Sequence, residues 1–256
     1  MGVLESFSLK GKVALVTGGA GQYGRQLVEA MVEAGATTFT ASRDIAKLEE
    51  TAKKYGATAL QLDLASEESI NSVMAEIIKR AGRIDILINN AVTRCACGGE
   101  FHTMAEYDES LHVNASALFY ISQLAAEQMK KQGTGGSVIN IGSYMGLLAH
   151  NPVNYKGTPM KVESPIYFFE KGGMANYTRF AASFYGPYNI RFNCIHPGGF
   201  FNNQPAAFLE TYCANTMLGR MADDKDLKGV CVFLASDASS YLTGCNIPVD
   251  GGYSAK

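Results

Sequence analysis

KVALVTGGAGQYG, residues Lys12–Gly24, is the stretch of the sequence that decides the fold. Its apolar and β-branched first half, Lys12–Thr17, predicts a buried strand, and Gln22–Ala34 predicts an amphipathic helix. Glycines between a strand and a helix let the backbone turn tightly. They also let a pyrophosphate approach the amino end of the helix, where N–H groups and the helix dipole favour anions. The alternative is an ordinary glycine-rich turn. We predict a dinucleotide site at this turn, formed by Gly18, Gly21, Gln22, Tyr23 and Gly24.

The same alternation of strand and helix continues along the chain. Further strands are predicted at Thr38–Ser42, Ala57–Leu62, Asp85–Ile88, Ser137–Ile141, Ile190–Ile195 and Asn246–Val249. Helices are predicted from a cap at Asp44 to Gly56, at Ser66–Ala81, twice within Ala105–Lys131, at Pro165–Gly186 and around Val230–Leu234. Strands joined by helices need crossover connections, which make the sheet parallel and cover both its faces. We therefore predict one Rossmann-like α/β domain over residues 1–256, with three layers, a doubly wound seven-stranded parallel sheet, and ligands at the carboxyl ends of the strands.

Composition excludes several classes of protein. The chain has 256 residues, 47% of them hydrophobic, which is ample for a large core. A formal net charge of −2 gives no basic face for nucleic acid. No segment approaches the roughly 18 consecutive apolar residues of a membrane span, and Met1–Lys10 lacks the apolar core of a signal peptide. We expect a cytoplasmic protein with no nucleic-acid or membrane partner.

The cysteines and histidines show no metal-binding pattern. Of the six cysteines, only Cys95 and Cys97 form a close pair, and no second pair or histidine follows at ligand spacing. We predict no metal site and free thiols. The four histidines, of which His196 follows a predicted strand, show no partner pattern and are interpreted as structural.

Polar motifs follow the later strands in a fixed order. Asp63 follows the third strand, Asn89-Asn90-Ala91 ends the fourth, and Asn114 lies in the helical region after it. Ser143 follows the fifth strand and precedes Tyr167-x-x-x-Lys171 on a helix. Through this order the chain resembles the short-chain dehydrogenase/reductase family over essentially its whole length. The resemblance implies hydride exchange between a nicotinamide and a secondary alcohol or its ketone, with four catalytic residues: Asn114, Ser143, Tyr167 and Lys171.

The spacing of Tyr167 and Lys171 has a direct chemical reading. Positions i and i+4 share a helix face, so both side chains can point into one cleft. A free tyrosine has a pKa of about 10. A nearby ammonium favours the phenolate, which makes the tyrosine a usable acid and base near neutral pH. Aromatic residues at such spacing are also common in cores and interfaces. The family resemblance adds that Ser143 binds the substrate oxygen, and that Asn114 kinks a helix and helps to hold a proton-relay water.

The remaining cofactor contacts are implied by the resemblance alone. Asp63 and Leu64 correspond to the adenine site, and Asn90 and Ala91 to the family's NNAG motif, with Val92 in place of the glycine. Pro197 and Gly198, which match a proline–glycine motif of the family, would place their backbone beside the nicotinamide. These implied contacts comprise Asp63, Leu64, Asn90, Ala91, Pro197, Gly198, Phe200 and Asn202, together with Tyr167 and Lys171 at the nicotinamide ribose.

The end of the second strand bears on which nicotinamide binds. Ser42 stands where family members that prefer NAD carry an aspartate, and Arg43 follows it. A guanidinium pairs well with a 2′-phosphate. The competing interpretation places Asp44 on the ribose hydroxyl, since it lies about 20 residues past the loop. We predict NADP as cofactor, with NAD as the alternative.

The chain departs from the family pattern at two points. The glycine turn reads TGxxGxxG, so Gln22 stands where the family's middle glycine is expected. The gap between Ser143 and Tyr167 is about twice the usual one, which predicts an insertion of about ten residues within Leu148–Ile166. Tyr155 lies at the customary distance from Ser143, but position 159 is proline rather than lysine. The insertion is predicted to be a loop that shapes substrate choice, through Tyr155 or Lys156, or a passive surface excursion.

The substrate is predicted from weaker similarity. The insertion, NNAVTR and the PGG segment resemble family members associated with bacterial surface-sugar (nonulosonic acid) biosynthesis, so a sugar or sugar derivative is the leading expectation. A gluconate-type sugar acid or a 3-oxoacyl substrate is the alternative. An NADP-binding sensor or scaffold and a nucleotide-sugar epimerase are further hypotheses. Phe200–Leu218 is predicted to be a loop and helix that cover the substrate, its aromatic residues forming either a lid or merely a packed helix pair. The carboxyl-terminal segment resembles the family's usual ending, which implies a homo-tetramer or homo-dimer.

Overall fold

The computed structural model describes residues 2–96, 98–99 and 101–255, and these residues form one sheet of seven strands. In chain order the strands are β1 (Val13–Thr17), β2 (Thr37–Ser42), β3 (Thr58–Gln61), β4 (Ile86–Asn89), β5 (Gly136–Ile141), β6 (Ile190–Pro197) and β7 (Asn246–Val249). Their spatial order is β3-β2-β1-β4-β5-β6-β7, and each neighbouring pair is parallel. The predicted doubly wound parallel sheet is confirmed.

The strand order changes direction between β1 and β4. The chain runs outward from β1 through β2 to β3, then returns to pair β4 against the other side of β1. Helices on either side of such a switch diverge, which opens a crevice beyond the carboxyl ends of the strands. The segments after β1 and β4 therefore meet at this crevice.

Helices cover both faces of the sheet. Those with more than one turn are α1 (Gln22–Glu33), α2 (Ile45–Tyr55), α3 (Glu67–Ala81), α4 (Met104–Leu111), α5 (Ala117–Gln132), α6 (Pro165–Tyr185), α7 (Ala206–Asn215) and α8 (Lys228–Ala235). None of the helices among the described residues is long and apolar enough to cross a membrane.

Two apolar layers hold the helices to the sheet. Along β1, Leu15 faces the layer formed with α3, α5 and α6, while Val16 faces the layer formed with α1 and α8. Both side chains are fully buried. The alternation follows from the two-residue period of a strand, and apolar residues on both faces are what a sheet covered on both sides requires. The result is the predicted three-layer arrangement.

Local sequence signals account for the helix ends. The Asp44 carboxylate accepts a hydrogen bond from the Lys47 N–H at 3.1 Å, and Gly56, at φ 82°, ends α2 in the left-handed conformation that favours glycine. The predicted bounds of the strands and helices differ from the observed ones by at most two residues, as expected for ends that fray. Asp44 is therefore the cap of α2, as one of its two interpretations predicted.

One helical region is interrupted at Asn114, where the family resemblance implies a kink. Between α4 and α5 the chain forms a π-helical turn, His112–Ser116, so the two predicted helices run on as one interrupted helix. Single π-turns inside helices are rare and tend to mark functional sites. Nothing in the sequence HVNAS breaks a helix, so the turn is set by tertiary contacts of Asn114.

Candidate active site

A cavity of about 850 Å³ lies at the carboxyl ends of the strands, where the strand order predicts it. Every residue predicted to bind the cofactor lines this cavity, as do Ser143, Tyr167 and Lys171. Asn114 does not line it. The volume is in the range of cavities that enclose a cofactor together with a small substrate.

The glycine turn is held in place by the segment after β4. The Asn90 side-chain amide donates to the carbonyl oxygens of Thr17 at 2.9 Å and Gly18 at 3.1 Å. Gly18 has φ 69°, and a Cβ there would stand 2.8 Å from Cα of Ala91. The Asn90 amide therefore supports the turn, and glycine is required at position 18 by both its conformation and this close approach.

The first turn of α1 is open to an anion. Its N-cap is Gly21, which has no side chain to cap the helix, and Gln22, Tyr23 and Gly24 follow along the cavity wall. Backbone N–H groups without a side-chain cap, at the positive end of a helix dipole, suit a pyrophosphate. Gln22 stands at this first turn without closing it, so the residues fit a dinucleotide despite the departure from the family pattern.

Two positive charges line the cavity at the end beside β2 and β3. Arg43, exposed after β2, and Lys47 in the first turn of α2 both line it. Asp44 lies between them but uses its carboxylate as the cap of α2. Asp63, after β3, accepts a hydrogen bond from Ala65 N–H at 2.9 Å. Two cations beside a capping carboxylate favour a 2′-phosphate over a bare ribose.

Tyr23 closes the opposite side of the turn. Its hydroxyl donates to the carbonyl oxygen of Gly198 at 2.7 Å, and its ring meets Phe200 edge-on at 5.2 Å between centroids. Burial raises the pKa of the Tyr23 hydroxyl well above its usual range, so it stays a donor. The contact ties α1 to the segment after β6, which the family resemblance places at the nicotinamide.

Ser143, Tyr167 and Lys171 converge on the inner end of the cavity. Ser143 follows β5, while Tyr167 and Lys171 lie one turn apart on α6. The Lys171 ammonium is buried, donates to the carbonyl oxygen of Ile141 at 2.8 Å, and stands 5.8 Å from the centre of the Tyr167 ring. A fixed buried cation beside a phenol favours the phenolate.

Tyr155 is the competing tyrosine, and its surroundings do not suit acid–base work. It lines the cavity from the insertion, but burial, followed by the nearby Glu163, raises its pKa to about 12. A phenol with that pKa stays protonated at neutral pH. Tyr167, with Lys171 beside it, is the better acid and base.

His196 contacts the backbone of Ser143. It is fully buried, and its Nδ1 lies 2.8 Å from the carbonyl oxygen of Ser143, which can only accept a hydrogen bond. Its Nε2 lies 2.8 Å from the side chain of Asn246 on β7. These contacts give His196 a structural role.

Asn114 is brought near the site but not into it. Its side chain clasps the backbone of Thr93, accepting from its N–H at 2.9 Å and donating to its carbonyl oxygen at 3.0 Å. It also donates to Glu170 at 2.9 Å, which in turn accepts from Ser110 at 2.6 Å. The side chain thus fixes the π-turn and the loop after β4, and its part in holding a water stays a prediction.

An aromatic wall is formed by Tyr144, Tyr155, Phe208 and Tyr212, of which sequence reasoning named Tyr155 and the segment that holds Phe208 and Tyr212 but missed Tyr144 and the assembly of the four rings. Ring centroids lie 5.6 Å apart for Tyr155 and Phe208, and 6.1 Å apart for Tyr144 and Tyr212. All four line the cavity, and α7 supplies two of them. The segment Phe200–Leu218 therefore reaches the cavity through α7. The aromatic residues of this segment did not by themselves indicate which side of α7 faces the cavity.

The insertion is packed rather than free. Within Leu148–Ile166 a short 3-10 turn, Pro152–Tyr155, buries Asn154, which donates to the Tyr253 hydroxyl at 2.7 Å. The predicted loop thus contains this turn, and its last two residues already belong to α6. Lys156 is exposed and does not line the cavity, whereas Tyr155 does.

The described residues show no group of three or more His, Cys, Asp or Glu side chains that could hold a metal ion. Cys97, one half of the close pair noted in the sequence, lies outside the described residues. The other five cysteines are free thiols: Cys95, Cys194, Cys213, Cys231 and Cys245.

A doubly wound sheet, an uncapped helix start after β1 and a Ser–Tyr–Lys group in one cavity define a nicotinamide-dependent oxidoreductase. The comparisons with known proteins agree. A family model described as enoyl-(acyl carrier protein) reductase matches residues 20–254. The chain belongs to the short-chain dehydrogenase/reductase family, whose members act on CH–OH groups with NAD(P).

Relatives with known names span two substrate classes. The chain is 34% identical to a 3-oxoacyl-(acyl-carrier-protein) reductase of Aquifex aeolicus, over 95% of this chain and 98% of the relative. It is 32% identical to a 2-dehydro-3-deoxy-D-gluconate 5-dehydrogenase of Dickeya dadantii, over 99% and 100%. A gluconate 5-dehydrogenase from Burkholderia cenocepacia, solved with NADP and tartrate, superposes with a TM-score of 0.87 at 27% identity, covering all of both chains.

Proposed function

We propose that this oxidoreductase exchanges a hydride between NADP(H) and a secondary alcohol or ketone of a sugar or sugar derivative. The observation that carries the proposal is the convergence of Ser143, Tyr167 and Lys171 in the same cavity as the uncapped start of α1. Two relatives named for gluconate-type substrates support the sugar class, and the structure solved with NADP supports the cofactor.

In the proposed mechanism the protein manages the proton. The Tyr167 hydroxyl gives its proton to the carbonyl oxygen in reduction, and the Tyr167 phenolate takes the proton of the alcohol in oxidation, while the Ser143 hydroxyl donates a hydrogen bond to the same oxygen. Lys171, fixed by the carbonyl of Ile141, favours the phenolate that forms. The bound nicotinamide would supply the hydride acceptor or donor. The aromatic wall excludes water from these groups.

Cofactor preference is part of the proposal. Arg43 and Lys47 would hold the 2′-phosphate of NADP, and Asp63 and Leu64 would flank the adenine. Tyr23, Gly198 and Phe200 would bound the nicotinamide half. NAD remains the alternative cofactor. The cytoplasm as compartment, a single domain over residues 1–256, and a homo-tetramer or homo-dimer stay predictions of the sequence.

The proposal is tested by following nicotinamide absorbance with NADP(H) and NAD(H) against neutral sugars, sugar acids, their keto forms and a 3-oxoacyl thioester. We expect turnover of at least one sugar or sugar acid, and its loss in Tyr167→Phe and Lys171→Ala with the fold retained by circular dichroism. Turnover that survives in Tyr167→Phe would contradict the mechanism. Turnover of the thioester alone would replace the sugar class by the 3-oxoacyl class.

A further inference from the structure

Beside Tyr167, the cavity holds an ion pair that the proposed mechanism does not use. Arg94, in the loop after β4, and Glu163, in the insertion, both line the cavity, and Arg94 Nη2 lies 2.5 Å from Glu163 Oε1. The guanidinium carbon of Arg94 stands 5.4 Å from the centre of the Tyr167 ring. The pair is therefore within reach of a substrate whose reacting oxygen meets Tyr167.

The loop that carries Arg94 and the insertion that carries Glu163 are joined by a backbone hydrogen bond. Gly99 N–H donates to the carbonyl oxygen of Val162 at 3.0 Å, next to Glu163 in the chain. The Glu163 side chain is only 20% exposed, against 52% for Arg94. The insertion thus positions a carboxylate at the substrate end, which argues against a passive surface excursion.

Glu163 has hydrogen-bonding capacity to spare. Its Oε1 accepts from Arg94, whereas its Oε2 is enclosed and has no hydrogen-bond partner among the described residues. A carboxylate oxygen can only accept, so this atom needs a donor such as a hydroxyl. Buried polar atoms without partners are rare in folded proteins and tend to mark places where a ligand or water completes the site.

Charge decides which kind of ligand fits. Arg94 and Glu163 cancel each other, and the other charged residue lining this inner end in the described chain is Lys171, which is bonded to Ile141 beside Tyr167. A carboxylate or phosphate on the substrate would meet the negative charge of Glu163 and would have to compete with it for Arg94. A neutral pair of neighbouring hydroxyls satisfies both: one oxygen accepts from the guanidinium and one O–H donates to the carboxylate.

The aromatic wall also suits a neutral sugar as the ligand. Ring faces of Tyr144, Tyr155 and Phe208 supply apolar surface on the same cavity, suited to the C–H face of a sugar ring. A few convergent polar groups set against apolar walls are the usual composition of a small-molecule site.

Resting on the proposed function, we propose that Arg94 and Glu163 are a specificity pair that binds two adjacent hydroxyls of an uncharged sugar or polyol. The pair selects a neutral substrate against the corresponding sugar acid. This assigns a role in substrate choice to the insertion and narrows the substrate class.

The test compares kcat/KM on neutral sugars and on the matching aldonic acids for the wild type, Glu163→Gln and Arg94→Gln. Glu163→Gln keeps the size of the side chain and removes the negative charge that an acidic substrate would meet, so we expect the ratio of acid to neutral kcat/KM to rise about tenfold or more, mainly through KM. Arg94→Gln removes the guanidinium that balances the negative charge of Glu163, so the ratio of acid to neutral kcat/KM is expected to fall. Glu210→Gln, the same chemical change on the exposed side of α7, should leave the ratio unchanged.

Opposite shifts in the two variants follow from charge and would not arise from a general loosening of the site. A wild type that prefers the acids, or an equal loss on both substrate sets in Glu163→Gln and Arg94→Gln, would overturn the specificity pair and leave the proposed function standing. Absence of turnover by the wild type on every sugar and sugar acid would overturn the proposed function itself.

Discussion

Arg43 is the residue to which we assign the proposed preference for NADP. It is exposed at the cavity, with Lys47 nearby, while the one competing carboxylate, Asp44, is engaged as a helix cap. The sequence left Asp44 with two interpretations because a cap and a ribose ligand occupy the same place after a strand. Only the hydrogen bond that the Asp44 carboxylate accepts from the Lys47 N–H distinguishes these two interpretations.

Arg43→Ala is predicted to weaken NADPH binding about tenfold or more, because a hydrogen bond to a charged group contributes about 1.5–3 kcal/mol. NADH binding should change little. Cofactor fluorescence titration measures both dissociation constants, with Lys53→Ala on α2, which does not line the cavity, as the control. Equal weakening of NADH, or no effect on NADPH, would contradict a role for Arg43 at the 2′-phosphate.

The second residue-scale prediction concerns Gly24. A Cβ at this position would overlap the carbonyl oxygen of Gly18 in the phosphate turn. Gly24→Ala should therefore lower the free energy of unfolding by about 1–3 kcal/mol and weaken cofactor binding. Thermal unfolding and cofactor titration test it against Gly229→Ala, a helical glycine of α8 whose Cβ would meet no atom within 4 Å. The control should be neutral or slightly stabilising, and a Gly24→Ala protein as stable as that control would refute the close approach.

At the scale of elements, the substrate end is assembled from parts far apart in the chain. The insertion meets the carboxyl-terminal Tyr253, whose hydroxyl accepts hydrogen bonds from Asn151 at 3.0 Å and Asn154 at 2.7 Å. Thr211 on α7 lies against the same turn. These contacts hold Tyr155 in the aromatic wall.

Tyr253→Phe keeps the ring that packs on Tyr144 but removes the acceptor of both asparagine amides. Because Asn154 is buried, its unpaired amide should cost about 1–3 kcal/mol. We expect a raised KM for substrate with little change in cofactor affinity, measured by steady-state kinetics. Tyr241→Phe, on a fully exposed tyrosine, is the matched control. A cofactor affinity that falls as much as substrate affinity would show that Tyr253 supports the whole cavity rather than the insertion.

At the scale of the whole molecule, an exposed apolar surface on α5 and α6 is not covered by any of the residues that the structure describes. Phe119 on α5 packs on Tyr177, while Phe180 and Phe184 of α6 stack beside it and are more than half exposed. Gly173 lies exposed on the same helix with open space around it, which would let another helix approach closely. A contiguous apolar patch of this kind usually marks an interface.

The double variant Phe180→Glu and Phe184→Glu is predicted to reduce the assembly to a smaller species, because charges on a buried apolar face are costly. Light scattering coupled to gel filtration measures the mass. Leu4→Glu, which changes an exposed apolar residue at the amino-terminal end, should leave the mass unchanged. A monomeric wild type, or a double variant of unchanged mass, would contradict the interface.

The sequence by itself determined the sheet, its crossovers and the order of the chemical groups along the chain. Strand period, helix caps and the glycine turn are local, and Tyr167 and Lys171 share a helix face through spacing alone. The tertiary structure alone decided the π-turn at Asn114, the aromatic wall and the Arg94–Glu163 pair. Each of these joins segments that lie far apart in the chain, and their side chains take positions set by packing against partners that no local pattern encodes.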